Sequence, residues 1–216
     1  MKHTAIALFI SLLCAGTNAS AAAQEVATAS FVQARQHFMA AVEGKSNAAD
    51  SAIEAFHVLA TRQPEHPLLM AYEGAAYTLK GRDASMPWDK MKYTEKGADL
   101  LEKAVALLTP AHDEALFNGT PESLEVRIVA VNTLMSLPEF MNRRSQGKRA
   151  LEAALASPAL ALASNQLRAN LYAAAARLAG KEQRSKDEIS WLQKVTALPE
   201  TSQHARAAAR LKELGL

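Results

Sequence analysis

Residues 52–77 read Ala-Ile-Glu-Ala-Phe-His-Val-Leu-Ala-Thr-Arg-Gln-Pro-Glu-His-Pro-Leu-Leu-Met-Ala-Tyr-Glu-Gly-Ala-Ala-Tyr. Small and apolar residues recur every three or four positions on both sides of Pro64, the period of a helix face. Proline ends the first helix because it lacks an N–H and restricts the residue before it. Two helices joined by so short a link run antiparallel.

The pattern extends outward from this stretch. From Phe31 to the end no apolar/polar alternation survives for more than a few residues. The one β-branched cluster, Ile128 to Val131, lies inside a helical period. Pro64, Pro110, Pro158 and Pro199 each follow an Ala/Leu-rich segment. Gly44, Gly81, Gly119, Gly147 and Gly180 read as further breaks, suited to the left-handed turn after a helix. The spacing predicts helices over 25–43, 48–62, 67–80, 91–108, 121–136, 144–156, 165–180, 184–197 and 202–214. Stacked pairs of this kind predict an all-α, right-handed superhelical solenoid of about four antiparallel helix pairs. The segment 202–216 carries Ala and Leu on one face and Arg, Lys and Glu on the other, as a C-terminal capping helix requires.

Composition agrees. The chain has 216 residues, 49% hydrophobic and 21% charged, a globular balance in one domain. Lys plus Arg is 24 against 22 Asp plus Glu, and a net charge of +2 excludes a nucleic-acid partner held by bulk electrostatics. With 6% aromatics and abundant Ala, close-packed helices are favoured over a β-sandwich.

The N-terminus reads as an address. Met1-Lys2-His3 precedes an apolar run from Ala5 to Ala15 and a small-residue exit, Ala19-Ser20-Ala21 or Ala21-Ala22-Ala23. These are the parts of a secretory signal peptide, so residues 1–23 are expected to be cleaved from a bacterial periplasmic or secreted domain at 24–216. The run is about half the ~20 residues that cross a bilayer, so no transmembrane segment is expected. Leu13 stands where a lipoprotein signal has a small residue before its cysteine. Cys14 is the only cysteine and would leave with the leader, taking with it any disulfide, thiolate or Cys metal ligand. Asn118-Gly119-Thr120 matches a glycosylation triplet that is common by chance and needs a eukaryotic host.

Residues 33–66 resemble a tetratricopeptide unit, with Ala52, Phe56 and Pro64 at the spacing of its second-helix small residue, aromatic and terminal proline. Gly74 and Tyr77 stand three apart, where the next first helix has its Gly and Tyr. Later units are looser. The chain therefore resembles the tetratricopeptide-like superfamily, with an insert at 81–93 (GRDASMPWDKMKY). With the stretch LPEFMNRR it is similar to uncharacterised secreted bacterial members of that group. The resemblance implies a concave groove lined by first-helix side chains, and a non-catalytic module for a protein or peptide partner in the envelope. Extending the register of Gly74 and Tyr77 puts His37, Arg127, Asn170 and Arg177 on that lining, where they would clamp a peptide carboxylate or backbone. The alternative is an ordinary solvated face. Tyr77 is expected in the core and Arg127 partly in solvent.

Chemical motifs are sparse. None of the six histidines, at 3, 37, 57, 66, 112 and 204, forms HExxH or a metal pair on one helix face. No phosphate loop, nucleophile elbow, kinase or dinucleotide signature is present. No catalytic residue, metal or cofactor is expected. His66 and His112 read as turn caps, and Glu73 with His66 is an acid–base pair only in outline. The alternative function is a small-ligand binder or enzyme that uses the polar lining as a pocket. Trp88, Met91 and Tyr93 form either an adaptable contact surface or, the expected reading, a plug between helix pairs. The basic run Arg143-Arg144-x-x-x-Lys148-Arg149 is an attractor of acidic lipid or, with Glu139 and Glu152, a mixed-charge face.

Overall fold

A computed structural model describes residues 15–117 and 119–216, with side chains from residue 29. Residues 1–14 of the expected leader and Asn118 of the glycosylation triplet lie outside that range. The described chain is all-α apart from one two-residue hairpin. Its helices are α1 Ala15–Val42, α2 Ala48–Arg62, α3 Pro67–Asp83, α4 Pro87–Ala106, α5 Ala111–Glu114, α6 Glu122–Leu134, α7 Arg144–Ala156, α8 Asn165–Lys181, α9 Ser185–Thr196 and α10 His204–Glu213. The hairpin pairs β1 Leu116–Phe117 antiparallel with β2 Thr120–Pro121. Helices pack chiefly on their chain neighbours, α1 on α2, α3 on α4, α6 on α7 and α8 on α9, while α3 also packs on α2 and α6.

Local chemistry explains the boundaries. Pro67 and Pro87 open α3 and α4 from the first turn, where the missing N–H would have no helical partner anyway. Ser164 caps α8 by accepting from the Leu167 N–H at 3.2 Å. Gly44, at φ +78°, takes the left-handed turn that closes α1, with the Lys45 N–H bonded to the Ala40 carbonyl at 3.0 Å.

Three expectations are corrected. The insert at 81–93 is not a loop: residues 81–83 end α3, 87–93 begin α4, and only 84–86 link them. The proline that resembled a loop residue starts a helix. The stretch between α4 and α6 holds α5 and the hairpin rather than a plain linker. Gly81, Gly147 and Gly180 lie inside α3, α7 and α8, where they admit a neighbouring element instead of turning the chain.

Close approach is sharpest between α3 and α4. A Cβ on Gly74 would stand 2.8 Å from the Gly97 carbonyl oxygen, and one on Gly97 would collide with the Gly74 carbonyl and the Thr78 backbone. The two backbones touch. Gly81 faces Thr94 one step further along the same seam.

The core centres on Tyr72, not Tyr77. Tyr72 is 3% exposed and packs against Phe31, Phe38 and Phe56 at ring distances of 5.4, 5.2 and 5.1 Å. Its hydroxyl donates to Glu125 Oε1 on α6 at 2.6 Å. Burial, then the Glu125 charge, pushes that hydroxyl far above the ordinary phenol range, so it remains a donor. Tyr77 is half-buried, stacked on Tyr93 at 6.4 Å beneath the Lys96 ammonium. Ala52 and Phe56 are fully buried, and Pro64 sits in the turn after α2. The main core draws buried residues from α1 through α8, and Ala41, Ala48 and Ala49 form a small separate cluster between α1 and α2. A second, smaller core joins Ala169, Ala173 and Ala176 on α8 to Leu192 and Val195 on α9 and Ala207 on α10.

Tyr72→Ala is expected to lower stability by about 3–5 kcal/mol, the range for a large core aromatic, against about 1 kcal/mol for Tyr77→Ala. Urea unfolding of both variants measures the difference. Gly97→Ala should also destabilise, because overpacking of about 1–3 kcal/mol outweighs the gain of up to ~1 kcal/mol in helix propensity. An unchanged or raised Tm would contradict the backbone contact.

Candidate functional site

A cavity of about 830 Å³ lies between α1, α3, α4, α6 and residues 137–141. Phe38 and Val42 on α1, Leu79 on α3, Met91 on α4 and Val129 on α6 give it apolar walls, and Phe140 stands at its edge. Small residues on α3, Ala75, Thr78 and Gly81, leave it open. Its lining includes no aspartate, glutamate or histidine. The cations on it, Arg82 and Lys90, face inward-built partners. Arg82 donates to the Ala41 carbonyl at 2.7 Å and pairs with Asp83, and Lys90 reaches the Arg82 carbonyl at 3.4 Å. Arg82 thereby satisfies an end carbonyl of α1.

The groove residues expected from sequence do not converge. His37 is half-buried on α1, while the neighbouring Phe38 and Val42 line the cavity. Arg127 is not a solvated groove residue. Its side chain is 18% exposed and its Nη1 lies 3.5 Å from Asp113 Oδ1 on α5, an acid that also accepts from Ser123. It holds the short helix α5 against α6. Asn170 Oδ1 accepts from Gln166 at 2.9 Å and Gln203 at 3.3 Å, tying α8 to the start of α10. Arg177 alone among the four lines a cavity. Arg177 is exposed on α8, and partial desolvation of its guanidinium together with the adjacent Arg206 charge holds it below the ordinary arginine range.

The insert residues divide. Trp88 is 68% exposed on the first turn of α4, with Met86 at 47% and Met91 at 38% beside it. A plug is therefore the wrong reading. Tyr93 is the one that packs, half-buried against Tyr77 with the Lys80 ammonium 4.5 Å from its ring centre. The basic run is mostly paired. Arg143 binds Glu102 and Asp99 on α4, each at 2.7 Å, and Lys148 binds Glu182 at 2.9 Å. It straps helices together.

The histidines also find other partners. His66 faces Glu122 at 3.4 Å and His57 faces Glu73 at 3.3 Å, so the outlined Glu73–His66 pair does not form. His112 Nδ1 accepts from the Thr109 N–H at 3.0 Å, a turn cap. Among the described residues no group of three or more His, Cys, Asp or Glu is placed to hold a metal. No helix there is long and apolar enough to cross a membrane.

Comparison with known protein families, curated proteins and solved structures finds no match to this chain.

The Arg127–Asp113 pair reverses one expectation. Arg127→Ala should lower stability by about 1–2 kcal/mol, less than a fully buried pair, because Asp113 is left half-enclosed without its cation. Thermal unfolding that matched the unsubstituted chain would return Arg127 to the solvated class.

Proposed function

We propose that the protein is a non-catalytic interaction module of the bacterial cell envelope. It is a tetratricopeptide-like, right-handed superhelix of antiparallel helix pairs, α1/α2, α3/α4, α6/α7 and α8/α9, capped by α10. The leader at 1–23 is removed on export. The observation that carries the binding role is the exposed pair Trp88 and Met91 on α4, with Met86 exposed just before the helix. Tryptophan and methionine in one patch are the residue types enriched at the centres of protein interfaces. Lys92, Lys96, Glu95 and Asp99 line the surface beside Trp88 and Met91, so the partner is a protein surface with an apolar anchor site and charges of both signs around it. The absence of acid and imidazole from the cavity lining supports binding over acid–base catalysis.

A second reading is favoured by the cavity itself. At about 830 Å³ and largely apolar, it has the size of small-molecule sites, which run roughly 300–1,000 Å³. On that reading the groove holds a small ligand while the Trp88 patch meets a protein.

Trp88→Ala distinguishes an interface anchor from a structural residue. Capture of a partner from envelope extract should fall by tenfold or more, since interface tryptophans account for about 2 kcal/mol or more. Tm should move by less than ~2 °C, as exposed positions change stability little. A lowered Tm with capture intact would refute the contact role.

A further inference from the structure

We propose that the occupant of the groove is a single-chain amphiphile with an anionic head, its chain in the apolar cavity and its head against Arg144, Arg177 and Lys181. This rests on the small-ligand reading above. The argument starts from a second cavity, of about 270 Å³, next to the first. The two share Asn132, Ser136 and Leu137 on their walls. The two therefore adjoin at the end of α6, where Asn132 and Ser136 are exposed, and the proposed ligand would cross there from one to the other.

The second cavity differs in charge. Arg144 at the start of α7 and Arg177 and Lys181 on α8 line it, and its lining holds no acid. Among the described residues Arg177 and Lys181 form no ion pair, while the charge of Arg206 stands close to Arg177. Arg144 pairs with Glu139 at 2.5 Å, but that carboxylate is 80% exposed and the Arg144 Nε is buried without an acceptor. Arg177 and Lys181 are exposed and Arg144 is half-buried, so the three cations are open to an incoming anion, which they would meet with charge-assisted hydrogen bonds. At the far end of the apolar cavity Arg82 is already bound to Asp83 and to a helix carbonyl, and Lys90 donates to the Arg82 carbonyl with its charge close to Asp83. The asymmetry sets the direction: head toward α7 and α8, chain toward α1 and α3. Carboxylate and phosphate heads satisfy the same donors.

Calorimetry on the full chain with decanoate, decyl phosphate, decanol and inorganic phosphate tests this. Decanoate and decyl phosphate should bind one per chain, tighter than decanol by about tenfold or more, and inorganic phosphate alone should give no measurable heat. The two anionic arms show which head the pocket prefers. Arg177→Ala with Lys181→Ala should abolish the margin over decanol and leave decanol binding as it was. Thr133→Trp, which fills the apolar cavity, should weaken all three chains while helix content by circular dichroism stays constant. Decanol binding as tightly as decanoate would overturn the anionic head and leave the small-ligand reading standing. Inorganic phosphate binding as tightly as decyl phosphate would overturn the placement of the chain. No binding of any of the three, with helix content intact, would overturn both the inference and the small-ligand reading.

Discussion

The contact of Gly74 with Gly97 sets the geometry from which the rest follows. With no side chain on either residue, the α3 and α4 backbones meet directly, and a Cβ on either would strike the other's carbonyl. Gly81 against Thr94 continues the seam, so α4 must run beside α3 from its first turn. The three-residue link at 84–86 then leaves no freedom in where Trp88 stands. It stands 68% exposed there, while Lys80 and Arg82 at the end of α3 are engaged with Asp50 and with Asp83 and the Ala41 carbonyl. The lysines on this side settle over aromatic faces, Lys96 over Tyr77 and Lys80 over Tyr93. The Lys80 ammonium is also held by Asp50 at 2.5 Å, and Lys96 donates to the Tyr77 hydroxyl at 2.7 Å.

The groove is the other consequence of small residues on α3. Ala75, Thr78 and Gly81 line the same cavity as Phe38 and Val42 of α1, and their small size leaves the space between them open. A helix that must approach α4 so closely on one side cannot carry large residues close to that side. The volume left over is apolar because its other walls, from α1 and α6, are core faces. Tyr72 keeps that volume from collapsing. It is wedged between three phenylalanines and bonded to Glu125, fixing α1, α2, α3 and α6 relative to one another. A rigid surround lowers the ordering that a ligand must impose on binding.

Helix content was legible in the sequence because the 3.6-residue period runs through nearly every segment. The glycines were less so. Gly44 turns the chain and Gly81 admits a helix, yet both look alike in a sequence, since the distinction depends on what lies opposite. Pro87 was readable as a helix start only by weighing its N1 preference against the polar run around it. Tyr72 and Tyr77 lie five apart on one helix, and apolar residues surround both, so periodicity alone does not choose the buried one. The site residues fared worst. A register taken from Gly74 and Tyr77 does not carry across connections of unequal length. Arg127 had its partner on α5, a single helical turn too short to leave a periodic signal.

Charge was harder still to read, because a count of cations says nothing about which are already matched. Arg143 and Arg144 are adjacent and chemically identical, but one is chelated by Glu102 and Asp99 on a neighbouring helix while the other has an exposed acid at a loop. The first straps α7 to α4 and offers little to a ligand, since displacing two carboxylates in fixed positions returns two unpaired charges. The second sits where its one acid can swing into water at small loss. Functional charge in such a helical array is therefore charge that the fold has not neutralised, and it gathers where acids are missing from three elements at once. Here those elements are the end of α6, the start of α7 and the last turns of α8.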